Sequence, residues 1–181
     1  MNKFTLLQKI RNKIRVSSGV KLSIAKGAKL VNCDIRIEGK DCSLVVEEGT
    51  VIRSIQIEIL GDGSKIIIGK NCIIGHDSYI SAKEGKHLTI GNDCMFSRNV
   101  KIMTSDGHLV FQGEEVINQA KDILIGNHVW LADNVTILKG VTVGEGSVIG
   151  INSTVTKNIP KQTIAAGNPT RVVKTDILWQ K

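Results

Sequence analysis

Aliphatic residues recur every six positions along most of this chain. The spacing is unbroken from Ile125 through Leu131, Ile137, Val143 and Ile149 to Val155. Shorter groups follow the same spacing: Ile24 and Leu30; Val46 and Ile52; Ile68, Ile74 and Ile80; Ile90, Phe96 and Ile102. A period of six is neither the period of a helix nor a sustained strand alternation. It predicts short strands separated by tight corners, with one aliphatic side chain of each strand pointing inward.

The third position after each aliphatic residue favours a turn. It holds Gly, Asn or Asp, which tolerate positive φ, at Gly27, Gly49, Asn71, Asp77, Asp93, Asn99, Asn134, Gly140, Gly146, Asn152 and Asn158. The following position is small or β-branched, as a narrow interior requires. Stacked coils of about 18 residues would form an all-β fold, a parallel β-helix, with about seven or eight coils over positions 20–160.

Two interruptions and two ends depart from the repeat. The gap between Ile80 and Ile90 predicts a small loop over 82–87, and the longer gap before Ile125 predicts a protruding arm over 104–122. We expect short helices at both ends. Residues 1–19 would form an amphipathic cap, with Phe4 on its apolar face and a membrane-surface helix as the alternative. Residues 161–181 would form a basic tail.

Composition narrows the class of protein. Aromatic residues make up 3% of the chain, so small aliphatic side chains must fill the core. The four cysteines form no C-x-x-C pair, which predicts core thiols and no metal site. No apolar run reaches the ~20 residues of a membrane helix, so we expect a cytoplasmic protein without membrane association. The net charge of +7 suits a polyanion, but without interleaved aromatics we do not expect nucleic-acid binding.

The stretch WLADNVTILKGVTVGEGSVIGINSTVTKNIP, followed by AAGNPTRVVK, resembles the C-terminal half of the hexapeptide-repeat acyltransferases. The resemblance covers about residues 65–175. It implies a left-handed β-helix, a homotrimer with active sites at the subunit interfaces, and acetyl transfer from acetyl-CoA with no metal required. The arm sequence TSDGHLVFQGEEVINQAKDILIGNHVW is most similar to sugar and surface-polysaccharide O-acetyltransferases, so the implied acceptor is a sugar or polysaccharide.

The resemblance also assigns site residues by position. His108, at the start of the arm, falls on the family's catalytic histidine, and Trp130 falls on the tryptophan beside the thioester. The other matches lie along the cofactor: Asp133 and Ile151 with their neighbours Ala132 and Gly150 at the pantetheine, Thr156 and Lys157 near the cofactor, and Arg171 and Lys174 near its phosphates. Ala132 stands where the family has Gly and Ile151 where Ala is common, which alters the shape of the groove.

The chemistry of acetyl transfer favours a histidine in this position. A sugar hydroxyl is a poor nucleophile at neutral pH and needs a base, and histidine titrates near that pH. His108 lies outside the repeat, where it can project over a groove, and Asp106 is a candidate to orient it. N-acetylation of an amino sugar is the alternative activity. A β-helix that binds proteins without catalysis is the alternative class.

Overall fold

The chain winds through three sheets in turn, so that successive coils stack as parallel strands. The computed structural model describes residues 6–181, and the prediction for Phe4 falls outside them. Sheet 1 has seven strands, in stacking order Lys13–Val16, Asp34–Glu38, Gln56–Leu60, Tyr79–Lys83, Lys101–Met103, Thr136–Ile137 and Thr154–Val155. Sheet 2 has six, in stacking order Lys21–Ile24, Ser43–Val46, Lys65–Ile68, His87–Ile90, Ile123–Ile125 and Thr142–Val143.

Sheet 3 has eight strands, and its last strand differs in direction. The first seven are parallel: Lys29–Val31, Val51–Arg53, Ile73–Ile74, Met95–Phe96, Trp130–Leu131, Val148–Ile149 and Ile164–Gly167. The eighth, Thr170–Lys174, pairs antiparallel with Ile164–Gly167. The predicted parallel β-helix is therefore confirmed.

The inward ladders lie where the hexads predict them. Every hexad aliphatic residue named above is buried, and the most exposed of them, Ile24, is only 5% exposed. All the predicted turn positions except Asn158 have positive φ. Asn158 instead accepts a hydrogen bond from the backbone N–H of Thr142. The four cysteines are buried and unpaired, in agreement with the prediction of core thiols.

Coil width changes along the chain, which the hexad count does not anticipate. Stacked partners Ile35 and Ile57 are 22 residues apart, whereas Ile137 and Val155 are 18 apart. The described chain therefore makes six complete turns and a seventh whose second strand is reduced to one bridge, between Val143 and Ile159. The prediction of seven or eight coils over 20–160 is too high because the early coils are wider than 18 residues.

The wide coils have longer strands on both sides of the corner where the chain passes from sheet 1 to sheet 2, and the arm leaves from the same corner. The predicted loop over 82–87 is shorter than expected, because the strand Tyr79–Lys83 buries Ala82 and the next strand begins at His87. The arm leaves this corner after Met103 and returns before Ile123. Its tip is an antiparallel hairpin of Phe111–Gln112 and Glu115–Val116.

The two ends of the chain differ from the expected helical cap and helical tail. A helix, Leu6–Arg11, precedes the first coil, but the strand Lys13–Val16 already belongs to sheet 1, inside the range predicted as a cap. The Asn12 side chain joins the helix to this coil: it donates to the Leu30 carbonyl and accepts from the Cys33 N–H. The tail forms the strand Thr170–Lys174 instead of a helix. Its β-branched residues suit a strand, and pairing covers an edge that would otherwise be open.

Candidate active site

One asparagine joins the two sides of the arm next to His108. The Asn118 side chain donates to the His108 carbonyl (2.8 Å) and to an Asp106 carboxylate oxygen (3.0 Å). Its own carbonyl oxygen accepts from the Val110 N–H at 2.6 Å. Both sides of the arm are thereby joined around His108. The His108 imidazole is exposed and makes no hydrogen bond within the described part of the chain.

Asp106 does not orient the His108 ring, contrary to the interpretation from adjacency. Its carboxylate bonds to the Lys139 ammonium and to Asn118, and the Lys139 ammonium also donates to the Asn118 backbone carbonyl (2.6 Å). The hydrogen bond from Lys139 is the largest cause of the lowered pKa of Asp106. Because Lys139 lies in the next coil of the β-helix, this ion pair ties the arm to the rigid ladder and acts on His108 only through the backbone.

A groove lies at a different corner, where the chain passes from sheet 3 to sheet 1. It has a volume of about 460 Å³ and is lined by Gly75, Ser97, Arg98, Trp130, Ala132, Asp133 and Ile151. Four of these lining residues are ones that the family resemblance assigns to the cofactor. The structure therefore brings Trp130, Ala132, Asp133 and Ile151 together, with the exposed Ile151 (60%) at the groove surface.

The wall of this groove is held by an ion pair between coils. The Arg98 guanidinium donates to an Asp133 oxygen at 2.6 Å, and the Arg98 backbone N–H donates to the other oxygen at 2.8 Å. These hydrogen bonds lower the pKa of Asp133, so the carboxylate stays ionised. Gly150 follows the strand Val148–Ile149, which pairs with Trp130–Leu131. A Cβ there would come within 2.9 Å of the Ala166 Cβ, so close stacking alone accounts for glycine at this position.

The remaining predicted cofactor residues lie apart from this groove. Thr156 and Lys157 are exposed and follow a strand of sheet 1, at the arm corner. Arg171 and Lys174 are exposed on the last strand of sheet 3, where Arg171 pairs with Ala166 and Lys174 with Ile164. In a single copy of the chain, the predicted site residues are therefore spread over two corners and one end of the β-helix.

Sequence reasoning missed the path of the C-terminal residues. Residues 177–181, which we call the strap, run along the corner between sheets 2 and 3. Trp179 stacks on His128, with ring centroids 4.0 Å apart and 7° between the planes, and also contacts Trp130. Beside this stack lies a pocket of about 350 Å³, lined in part by Glu145, Lys161 and Leu178. The partners are 51 residues apart in the chain, so no local pattern indicates the contact.

Two further features are absent from the described residues. Within residues 6–181, no group of three or more His, Cys, Asp or Glu side chains is placed to hold a metal ion. In the same range, no helix has the length and apolar character needed to cross a membrane.

Comparisons with known proteins agree with this architecture. The family model for the bacterial transferase hexapeptide (six repeats) matches residues 122–157, and that for the hexapeptide repeat of succinyl-transferase matches residues 65–85. The curated polysialic acid O-acetyltransferase of Escherichia coli O1:K1 / APEC is 38% identical over 85 residues, which is 46% of this chain and 28% of that relative. The match thus spans less than a third of the relative's length.

Solved structures extend the likeness to nearly the whole chain. The crystal structure of the polySia-specific acetyltransferase NeuO is 34% identical, with a TM-score of 0.76, over 95% of this chain and 90% of that one. The polysialic acid O-acetyltransferase OatWY is 30% identical, with a TM-score of 0.82, over 94% and 88%. As the resemblance in the repeats predicts, this chain belongs to the hexapeptide-repeat acetyltransferase family.

Proposed function

We propose that this protein is an acetyl-CoA-dependent O-acetyltransferase that acts on a hydroxyl of a sugar or surface polysaccharide, with His108 as the general base. The groove that gathers Trp130, Ala132, Asp133 and Ile151 carries the proposal. Its volume of about 460 Å³ and its mixture of indole, aliphatic and charged groups suit an extended pantetheine arm. The likeness to two polysialic acid acetyltransferases supports a polysaccharide acceptor.

In the proposed reaction the neutral His108 imidazole accepts the hydroxyl proton as the hydroxyl oxygen attacks the thioester carbonyl carbon. The carbon–sulfur bond breaks, an ester forms on the sugar, and the CoA sulfur leaves with the proton from the imidazolium. Trp130 would lie beside the thioester, with Gly150 next to the pantetheine. Arg171 and Lys174 would pair with the phosphates, and Thr156 and Lys157 would bind another part of the cofactor.

The site would be completed by a second copy in a homotrimer. His108 and the groove lie at opposite ends of the strands of sheet 1 in one chain, so a neighbouring subunit's arm is the better candidate to reach the groove. The outer side of sheet 3 supports such contact. It carries a vertical ladder of Val51, Ile73, Met95, Trp130 and Val148. Packing this ladder against another copy would remove apolar surface from water.

The activity is tested by measuring thiol release from acetyl-CoA with oligosialic acid, neutral sugars, amino sugars and nucleotide sugars as acceptors. We expect turnover with a hydroxyl acceptor and an ester product that mild alkali cleaves. An alkali-stable amide would instead identify an N-acetyltransferase. Absence of acetyl-CoA binding would favour a non-catalytic binding protein. The cytoplasmic location stays a prediction.

The role of His108 has its own test. We expect His108→Ala to lower kcat by about 10²–10⁴-fold, the range for a lost general base, with folding and acetyl-CoA binding close to wild type. His87→Ala, which removes another exposed histidine, is the matched control. Retention of more than about a tenth of wild-type kcat in His108→Ala would remove this residue from the mechanism.

A further inference from the structure

The strap is hydrogen-bonded to the β-helix at three separate coils. The Ile177 N–H donates to the Gln162 carbonyl at 3.0 Å, in the last coil. At the other end, the Lys181 ammonium donates to the Asn71 carbonyl at 2.8 Å. These anchors carry the strap back along the corner between sheets 2 and 3, so that Trp179 lies at the coil that contains His128 and Trp130.

Trp179 is held in one orientation by His128. Besides the stacking, the indole N–H of Trp179 donates to the His128 carbonyl (2.9 Å), and His128 Nε2 bonds to the Trp179 carbonyl (3.0 Å). Two hydrogen bonds in opposite directions, added to a nearly parallel ring stack, fix both the position and the plane of the indole. Such a fixed aromatic surface can limit the motion of a neighbouring ring.

That neighbouring ring is Trp130. The two indole centroids are 6.0 Å apart with a 45° tilt, a favourable aromatic geometry. Trp130 projects outward from sheet 3, lines the groove on one side and meets Trp179 on the other. The Trp130 indole donates one long hydrogen bond, from Nε1 to the Ser97 hydroxyl at 3.3 Å. Because this hydrogen bond is long, the Trp179 ring provides a second contact that can orient the Trp130 ring, on the side away from the groove.

We propose that Trp179 is a positioning residue for acetyl transfer: it holds the Trp130 indole in the orientation that shapes the thioester end of the groove. This inference rests on the proposed function. It gives the C-terminal residues a role separate from cofactor phosphate binding, because Trp179 acts through another side chain and does not itself line the groove.

The positioning is measurable without any substrate, because the chain contains two tryptophans and both belong to this contact. In Trp179→Phe, all emission comes from Trp130, and an aromatic ring still stacks on His128. The emission of Trp130 in Trp179→Ala should shift to longer wavelength, with acrylamide quenching at least about twofold stronger than in Trp179→Phe. Leu178→Ala, made in the Trp179→Phe background, is the matched control, because Leu178 is 88% exposed and belongs to the same strap.

Kinetics then test the consequence for catalysis. We expect Trp179→Ala to lower kcat about tenfold with a smaller change in the KM for acetyl-CoA, and Trp179→Phe to stay within about twofold of wild type. Identical Trp130 emission and quenching in the Ala and Phe variants would overturn the proposal, as would equal kcat values. A wild-type protein that does not turn over acetyl-CoA would refute the proposed function instead, and the fluorescence comparison would still decide whether Trp179 positions Trp130.

Discussion

The wide coils before the arm and the narrow coils after it build one continuous core from strands of different length. In sheet 1 the wide-coil strand Gln56–Leu60 has two inward residues, Ile57 and Ile59, whereas the narrow-coil strand Thr136–Ile137 has one, Ile137. The longer wide-coil strands bury more apolar surface per coil. Every predicted site residue lies in the arm, the narrow coils or the final strand, at positions from His108 onward.

The two regions also differ in what their strands present to solvent. Long strands leave more residues on the outer face of the sheet, and in the wide coils these form charged pairs such as Glu58 with Lys83. The groove itself crosses the boundary: Gly75, Ser97 and Arg98 come from before the arm, whereas Trp130, Ala132, Asp133 and Ile151 come from after it. In this chain the residues predicted for catalysis and cofactor binding lie in the arm, the narrow coils and the final strand, while the wide coils supply part of the groove wall.

The largest expected effect comes from a charge inside a narrow coil. Ile137→Asp would bury a carboxylate in a fully buried ladder between Ile102 and Val155, at a cost of about 3–5 kcal/mol or more. That is much of the stability of an ordinary domain, so we expect loss of cooperative folding in urea followed by circular dichroism. Thr136→Asp, which faces outward in the same strand, is the control. An unchanged melting temperature in Ile137→Asp would show that the inward register is wrong.

The next effect concerns the arm. Asn118→Ala would remove the side-chain hydrogen bonds to the backbone at His108 and Val110, while the backbone bonds of Ile117 to Val110 and of Lys121 to Thr104 remain. The histidine would then be held less firmly. We expect kcat to fall about 10–100-fold, while the KM for acetyl-CoA changes little because the groove is untouched. Glu114→Ala, at the turn of the hairpin, serves as the control. Equal kcat values for the two variants would mean that Asn118 does not position the base.

The smallest effect tests the wide coils. Burial alone would raise the pKa of Glu58, but hydrogen bonds from Tyr79 and Lys83 outweigh it and the pKa is lowered. The ionised group therefore contributes stability above the usual pKa of a glutamate and loses it as the pH falls through the lowered value. We expect Glu58→Gln to cost about 1 kcal/mol at neutral pH and less below about pH 4.

The wide-coil prediction also has a functional side. Urea titrations across pH should show the gap between wild type and Glu58→Gln narrowing in acid, with the exposed Glu48→Gln as control. The kcat of Glu58→Gln should equal that of wild type. A clear loss of kcat at unchanged stability would show that Glu58, in a wide coil, contributes to catalysis.

The sequence predicts the features that repeat. Inward ladders and positive-φ corners follow a pattern that recurs in each coil. The inward position of Ile137 and the turn position of Asn134 can therefore be predicted without a structure. The arm is predictable as an interruption, but its internal bonds are not, since Asn118 meets His108 outside any period. The strap is less predictable still: Lys181 bonds to Asn71 across 110 residues. The width of the early coils is not predicted, because residues added to strands interrupt the hexad spacing in the same way as a loop does.

The nearly uniform spacing of the early coils has an evolutionary consequence. Ile35, Ile57 and Ile80 occupy one ladder at intervals of 22 and 23 residues, so duplication of one such unit restores every partner above and below it. Each added unit would lengthen the molecule by one strand spacing, about 4.8 Å. A unit inserted before Gln56 would not change the relative positions of the arm, the groove and the strap's anchor at Asn71. Homologues can therefore differ in length by whole wide coils while the distance between their functional groups stays constant.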